Sequence, residues 1–475
     1  MNRSIRWIVL VWVMCWSFGC TTQPASPPQE SASDQGSNFV GDSKQPDHAE
    51  PTTSDVEDDE DVKVWPAYPS GPGHSGDEGV AVAERPLHNS LWDRNAGTTQ
   101  EDRDGHIISI WLSHPTDKLL LQIAKLPRLR ELWLSGTPRL SVDSLKALGN
   151  VETLESLSLF QTPNTKSAIS AWSRLIRLKQ LSLEECGVTD DAVVVIDRFR
   201  DLEHLSLSGN TLSDGAVNAM ANLTKLQSLS LGGNGRDSRS MRITDNAMQQ
   251  LARLQTITTL ELNDQPLTGG GLRHLPALPL LSFLVLGGPT IRDDAMAPLA
   301  DCRSLRHLLL HNTQLTDEGL AQIDGLANLE SLHLQEGPFT DAGIAHLGRL
   351  KNIKKLSLFG SKLTDESLEH VSHLDSLQEL WIRSSRRGNG PSPEFTAAGY
   401  AHLARMKHLR LLCLSDVDIN LAVPTLCEMT WLKTLFLDES RLSQQSLRQL
   451  WDSPMRRKTN GKAGLPDPDL PREAR

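Results

Sequence analysis

Residues 305–328 read LRHLLLHNTQLTDEGLAQIDGLAN, and residues 329–352 repeat the same apolar positions as LESLHLQEGPFTDAGIAHLGRLKN. The leucines at the end of each L-x-x-L-x-L segment alternate with other side chains, which is the spacing of a strand with one buried face. The apolar residues that follow come mostly three apart, which is helix spacing. Each unit of 24 residues is therefore predicted to contain a short strand, a turn and a helix that leads to the next strand.

The pattern recurs fourteen times, mostly at intervals of 24 residues. A single unit leaves both flanks of its leucine row open, so the leucines become buried only when neighbouring units stack. The sequence predicts an α/β solenoid with a concave parallel sheet and helices on the convex side. The repeats begin at Ile107, Leu129, Leu154, Leu178, Leu202, Leu226, Ile257, Leu281, Leu305, Leu329, Ile353, Leu377, Leu409 and Leu432.

Pairs of Thr or Ser with Asp mark the predicted helix starts. A hydroxyl there can accept a hydrogen bond from a free amide of the first turn, and the carboxylate lies at the positive end of the helix dipole. Because the pair recurs at one position of the repeat, helix capping is a better interpretation than a catalytic carboxylate. The pairs are Thr189-Asp190, Ser213-Asp214, Thr244-Asp245, Thr316-Asp317, Thr340-Asp341 and Thr364-Asp365.

The repeat resembles the leucine-rich repeat family, in the subclass L-x-x-L-x-L-x-x-(C/N)-x-(L/I)-(T/S)-D. The closest segments are LSLEECGVTDD and LSLSGNTLSDG, which carry Cys186 and Asn210 at the C/N position. The resemblance covers residues from about 107 to 450 and implies the horseshoe fold. Members bind proteins, inhibit enzymes or present substrates to ubiquitin ligases, so it implies no single function. The chain departs from the pattern where Gly269 and Ala397 replace the Asp.

The start of the chain has the features of a secretory signal: Arg3 and Arg6, an apolar run to Phe18, and Cys20. The apolar run is too short to span a bilayer. It resembles a bacterial lipoprotein signal, which implies that Cys20 is diacylated. The sequence thus predicts export across the inner membrane and a lipid anchor in the cell envelope, with ordinary secretion as the alternative.

The remaining segments follow from composition. Residues 21–85 contain eight prolines, 14 acidic and 3 basic residues, which predicts a disordered acidic linker. Because the whole chain carries −11 and residues 1–20 carry +2, residues 86–475 carry only −2. The predicted segments are a signal (1–20), the linker (21–85), an N-terminal cap (86–106), the repeat domain (107–453) and a disordered tail (454–475).

The third, fifth and seventh positions of each repeat are predicted to face the concave side. In the second to fifth repeats they are mainly small hydroxyl residues, which indicates neutral filler. Toward the C-terminus the positions become aromatic, imidazole and basic, a composition typical of interface cores. The predicted partner-binding residues are Phe283, His307, His311, His333, Phe359, Trp381, Arg383 and Phe436. The alternative is that these rings merely support neighbouring strands. A smaller cluster at the other end comprises Trp111, Trp133 and Phe160.

These features favour a non-enzymatic envelope protein that binds a protein, or a glycan, on its concave face. No phosphate-binding loop, nucleophile elbow or C-x-x-C pair occurs, so neither an enzyme nor a cofactor is expected. His307 and His311 are about 13 Å apart on one strand, too far to share a metal ion. The near-neutral repeat domain with dispersed Lys and Arg disfavours nucleic acid. A passive spacer and a substrate adaptor remain alternatives.

Overall fold

The computed structural model describes residues 84, 87, 97–136, 139–220, 222–233, 241–360, 362–384, 393–438 and 441–459. The predicted signal with its lipidation residue Cys20 and the predicted linker up to residue 83 lie outside the described residues. Residues 460–475 of the predicted tail also lie outside them.

All fourteen predicted repeat strands are present, and with one further strand they form a single sheet in the described part of the chain. The strands in chain order are β1 (Gly97–Glu101), β2 (Ile107–Ser113), β3 (Glu131–Ser135), β4 (Ser156–Phe160), β5 (Gln180–Glu184), β6 (His204–Ser206), β7 (Leu212–Ser213), β8 (Ser228–Ser230), β9 (Met241–Arg242), β10 (Thr259–Leu262), β11 (Phe283–Gly287), β12 (His307–His311), β13 (Ser331–Gln335), β14 (Lys355–Phe359), β15 (Glu379–Arg383), β16 (Leu411–Ser415) and β17 (Thr434–Leu437).

The repeat strands pair in parallel with equivalent residues opposite one another, so that Leu308, Leu332 and Leu356 form one continuous row. All three side chains are buried. On each strand, the residues directly before and after the leucine point to the other face of the sheet. β7 and β9 form a separate parallel pair. This arrangement confirms the predicted leucine-rich repeat solenoid and its register.

The helices on the convex side are short. In the described residues they have four to eight residues, and several continue into a 3₁₀ turn. None is both long and apolar enough to cross a membrane within the part of the chain described. The α-helices are α1 (Asp117–Ile123), α2 (Val142–Ala147), α3 (Thr165–Ala168), α4 (Asp190–Ile196), α5 (Asp214–Ala219), α6 (Asp245–Leu251), α7 (Gly269–Leu272), α8 (Met296–Ala300), α9 (Asp317–Leu320), α10 (Asp341–His346), α11 (Asp365–Ser372), α12 (Ala397–Leu403), α13 (Val423–Glu428) and α14 (Gln444–Trp451).

The predicted helix caps are confirmed at four of the six positions. There the hydroxyl accepts a hydrogen bond from the backbone N–H two residues later, as in Thr316 with Glu318 at 3.2 Å. The other three are Ser213, Thr244 and Thr364. The prediction is wrong for Thr189 and Thr340, whose side chains make no cap hydrogen bond in the described structure.

The aspartates beside these caps have a second role, because each binds the following repeat. Asp317 accepts hydrogen bonds from the Thr340 backbone N–H at 2.7 Å and from its hydroxyl at 2.8 Å. In these repeats a carboxylate therefore joins one helix start to the next, which a dipole argument alone does not predict. The same pair of bonds joins Asp190 to Ser213, Asp214 to Thr244, Asp245 to Thr268, Asp293 to Thr316, Asp341 to Thr364, and Asp365 to Thr396.

The residue seven places after the first apolar residue of a repeat turns the chain out of its strand. In eleven repeats it has a left-handed backbone, and in seven of these it is not glycine. A left-handed φ costs such residues about 1–2 kcal/mol, so the turn is imposed by the stacked strands on either side. The seven are His114, Gln161, Glu185, Asp264, Asn312, Glu336 and Asp416, with φ between 51° and 60°.

Both ends of the folded unit extend beyond the predicted boundaries. Glu84, which was predicted to lie in the linker, is 4% exposed and accepts a hydrogen bond from the Ile107 backbone N–H at 2.6 Å. β1 then pairs antiparallel with β2. At the other end, Met455 and Thr459 are buried, although both were assigned to the disordered tail. Thr459 forms a bridge with Leu435 of the last strand. Among the described residues, the packed structure therefore includes Glu84 at one end and residues up to Thr459 at the other.

Candidate partner-binding surface

The concave face of the C-terminal repeats has the predicted alternation. In β12, β15 and β16 the second and fourth residues of the strand are buried, and the first, third and fifth are half-buried. Side chains at equivalent positions of neighbouring strands form rows, since the strands pair without a register shift from β10 to β17. The predicted partner-binding residues therefore fall into three parallel rows.

The fifth-position row contains the largest rings of this half. Trp381, Cys413 and Phe436 lie opposite one another on β15, β16 and β17. The Trp381 and Phe436 rings are stacked with centroids 5.9 Å apart and planes 23° apart. The thiol between them is neutral, because burial raises the pKa of Cys413 to about 12. These three side chains, called the aromatic row below, form a continuous apolar strip.

The seventh-position row lies beside the aromatic row and carries charge. Phe359 and Arg383 are opposite one another on β14 and β15, and both are half-buried. Arg383 Nε lies 3.3 Å from a carboxylate oxygen of Asp416, whose other oxygen is 2.8 Å from Arg441. The guanidinium is thereby held at the edge of the aromatic row. Asp416 and Arg441 were not predicted; the position of Asp416 directly after its strand was the available signal.

The three histidines do not form a metal site. His307 and His333 lie in different rows, and burial lowers the pKa of both, that of His333 to about 4. Burial also lowers the pKa of His311, whose ring covers Gly287 on the adjacent strand: a Cβ on that glycine would lie 2.4 Å from it. Among the residues described, no group of three His, Cys, Asp or Glu could hold a metal ion.

Phe283 is the exception among the eight predicted residues. It lies on the expected face, but its side chain is only 8% exposed. Its ring is 5.7 Å from that of His307, so it supports the neighbouring strand as the alternative interpretation held. Phe283 is therefore removed from the candidate surface, whereas the other seven residues keep at least part of their side chains exposed.

Small hydroxyl residues of the central repeats form a hydrogen-bonded network. The hydroxyl oxygens of Ser208 and Ser230 are 2.6 Å apart and form a hydrogen bond. The Ser230 hydroxyl donates to the Glu261 carboxylate at 2.8 Å. Burial raises the pKa of Glu261 to about 7. No sequence motif marks this carboxylate. Its fifth position in the repeat, on the same face as the serines, was the only signal.

The N-terminal cluster is more exposed than the C-terminal one. The Trp111 and Trp133 rings are stacked with centroids 4.9 Å apart. Trp111 is 38% exposed and Phe160 39% exposed. The cluster has no basic side chain on its three strands that corresponds to Arg383. It serves as a matched comparison for the C-terminal surface, because both are stacked rings on the same sheet face.

No family profile and no curated protein matches this sequence. An internalin of Listeria monocytogenes is 17% identical over 74% of this chain and 94% of the internalin, with a TM-score of 0.42. A leucine-rich repeat protein of Leptospira interrogans is 16% identical over 74% and 90%, also with a TM-score of 0.42. The plant peptide hormone receptor RGFR1, solved in complex with RGF2, is 19% identical over 74% and 54%, with a TM-score of 0.38. These likenesses concern the repeat fold alone.

Proposed function

We propose that this leucine-rich repeat protein is a non-enzymatic binding protein that recognises a protein partner through the C-terminal half of its concave face. The observation that carries the proposal is the aromatic row, Trp381, Cys413 and Phe436, with Arg383 fixed beside it. Large rings with an adjacent guanidinium are the side chains that most often dominate binding energy at protein interfaces. Phe359, His307, His311 and His333 extend the surface toward the centre of the sheet.

The proposed surface is prepared for binding before the partner arrives. Arg383 is already held by Asp416, and the two rings of the aromatic row support each other across Cys413. Side chains that are ordered in the free protein lose less conformational entropy on association, which raises affinity. A passive spacer would have no need for a large apolar strip on an open face, so binding is the better explanation of this composition.

The proposed location follows from the start of the chain, which lies outside the described residues. We propose export and a diacyl anchor on Cys20, with the repeat domain carried on the acidic linker. Mass spectrometry of the mature N-terminus is expected to find a lipid-modified Cys20. An unmodified N-terminus at another residue would contradict the anchor and leave the proposed binding surface untouched.

Replacing Trp381 with Ala is expected to reduce partner capture at least tenfold, because truncating a central interface ring commonly costs 2 kcal/mol or more, which is about a thirtyfold loss of affinity. The measurement is a crosslinking pull-down from envelope extracts, quantified by mass spectrometry. Trp111→Ala is the matched control, since it also removes one ring of a stacked pair from the same sheet face. Both variants need unchanged melting curves. If every captured protein is recovered in equal amounts by Trp381→Ala and Trp111→Ala, the C-terminal surface is not the binding site.

A further inference from the structure

An open depression of about 380 Å³ lies at the C-terminal end of the rim where the strands begin. Its volume falls within the range of small-ligand sites. Its walls come from the residues around the first apolar position of four successive repeats, and they include Lys354, Lys407, Arg410, Trp431 and Lys433. None of these residues belongs to the surface proposed above for a protein partner, which uses the third, fifth and seventh positions.

The residue directly after the first apolar residue of a repeat is charged in nine of the fourteen repeats, and these residues form a row along the rim. Upstream of the depression, acidic and basic members of this row alternate and pair. Lys179 lies 2.8 Å from Glu155 on the adjacent repeat. Further along, Glu330 lies between Arg306 at 2.5 Å and Lys354 at 2.9 Å. Lys179, Arg306 and Lys354 are therefore each paired with a carboxylate on an adjacent repeat.

The alternation stops at the depression. The next members of the row after Lys354 are Gln378, Arg410 and Lys433. Arg410 and Lys433 are on neighbouring repeats, where the Lys433 backbone N–H donates to the Arg410 carbonyl at 2.8 Å. Both side chains are exposed, and neither makes an ion pair with any described residue. Like charges on neighbouring strands repel. A bound anion would remove this repulsion.

The other side chains of the depression suit a sugar. The Trp431 indole N–H donates to the Met406 carbonyl at 2.9 Å, which fixes the ring, and Lys407 Nζ lies 3.4 Å from the ring centroid. Asn352 and Ser376 already donate hydrogen bonds to the carbonyls of Ala327 and Lys351, so each offers an acceptor oxygen to a sugar hydroxyl. Gln378 also lines the depression. Asp375 also lines the depression; its carboxylate can accept hydrogen bonds from sugar hydroxyls, whereas it would repel a bare anion.

We propose that this depression binds an anionic sugar unit, a hexose ring that carries sulfate, phosphate or carboxylate. Arg410 and Lys433 bind the acidic group, since a guanidinium matches the oxygens of such groups. The polar side chains and Asp375 bind the hydroxyls, and the part of the Trp431 ring that lines the depression contacts the C–H groups of the sugar ring. The site lies on a different part of the sheet from the aromatic row, so either can exist without the other.

The test is calorimetric titration of the full chain with a heparin-derived tetrasaccharide in about 50 mM salt, where charge contacts are weakly screened. The double variant Arg410→Gln/Lys433→Gln is expected to bind at least tenfold more weakly. Lys179→Gln, which removes a paired cation of the same row upstream, and Trp381→Ala, on the aromatic row, are expected to change affinity less than twofold. Lys179, Arg410 and Lys433 are exposed and Trp381 is half-buried, so the variants are expected to fold. Melting curves of each variant verify this.

A second arm separates a sugar site from a simple cationic patch. Trp431→Leu is expected to weaken tetrasaccharide binding at least threefold and to leave inorganic tripolyphosphate binding unchanged. The proposal is overturned if the wild-type chain does not bind the tetrasaccharide, or if the double variant binds it as well as the wild type. It is also overturned if tripolyphosphate binds as tightly as the tetrasaccharide and Trp431→Leu affects neither.

Discussion

Leu332→Ala is expected to lower the free energy of unfolding by about 2–5 kcal/mol, the usual cost of removing a buried leucine. Leu332 is fully buried in β13 and lies between Leu308 and Leu356 in the inward row. The resulting cavity lies at the contact between three repeats. Since each repeat contacts only its neighbours, the damage should remain local. Urea unfolding measures the cost, and hydrogen exchange is expected to accelerate in β12, β13 and β14 before distant strands.

Gln335→Ala is the control for this prediction, because Gln335 lies on the same strand but is only half-buried on the opposite sheet face. It is expected to change stability by less than about 0.5 kcal/mol, as most substitutions outside the core do. Equal unfolding curves for Leu332→Ala and the wild type would contradict the assigned register, since the leucine would then not be filling the core.

Asn210→Ala is expected to lower the free energy of unfolding by about 3 kcal/mol or more. The Asn210 side-chain oxygen accepts hydrogen bonds from the backbone N–H groups of Cys186 at 3.1 Å and Val188 at 2.9 Å. Its amide donates to the carbonyls of Leu183 at 2.6 Å and Leu207 at 2.8 Å. Alanine would leave these buried groups without partners, and each such group costs about 1–3 kcal/mol.

Asn328→Ala is the matched control for Asn210→Ala. Asn328 is also in a repeat loop, but it is exposed, and its amide donates to the Arg303 carbonyl at 2.8 Å. Water can replace that bond, so its loss is expected to cost under about 1 kcal/mol. Urea unfolding of the two variants gives the comparison. Similar urea midpoints for the two variants would show that Asn210 does not stabilise the contact between its own repeat and the preceding one.

The strand register and the helix starts could be predicted because they depend on short spacings. The alternation in residues 305–310 determines which side chains face the core, whatever the rest of the chain does. Phe283 shows the limit of that reasoning. The spacing gives its face correctly, but its exposure depends on the ring of His307 one repeat later. The exposure of a side chain on a sheet depends on the side chains of the adjacent strands. The sequence of its own strand gives no information about them.

The basic depression was missed for a related reason. Arg410 and Lys433 are 23 residues apart in sequence, where they count as dispersed charges. In a solenoid that separation is one step along the sheet, about 4.8 Å between strands. Comparing charges at the repeat interval instead of along the chain reveals the loss of acidic partners after Glu330. The Asp-to-Thr links between helix starts become visible by the same comparison.

In the described part of the chain, the sheet has an added segment at each of its two ends. A parallel sheet of stacked coils has an edge at each end, and an open edge can pair with an edge of another copy and grow into a fibre. Here the first edge ends in the short antiparallel β1, with an irregularity between Gln100 and Glu101. At the second edge, Leu435 donates its backbone N–H to the Lys458 carbonyl at 2.8 Å. Residues 454–459 thus occupy part of the last strand's edge, where another strand would otherwise pair.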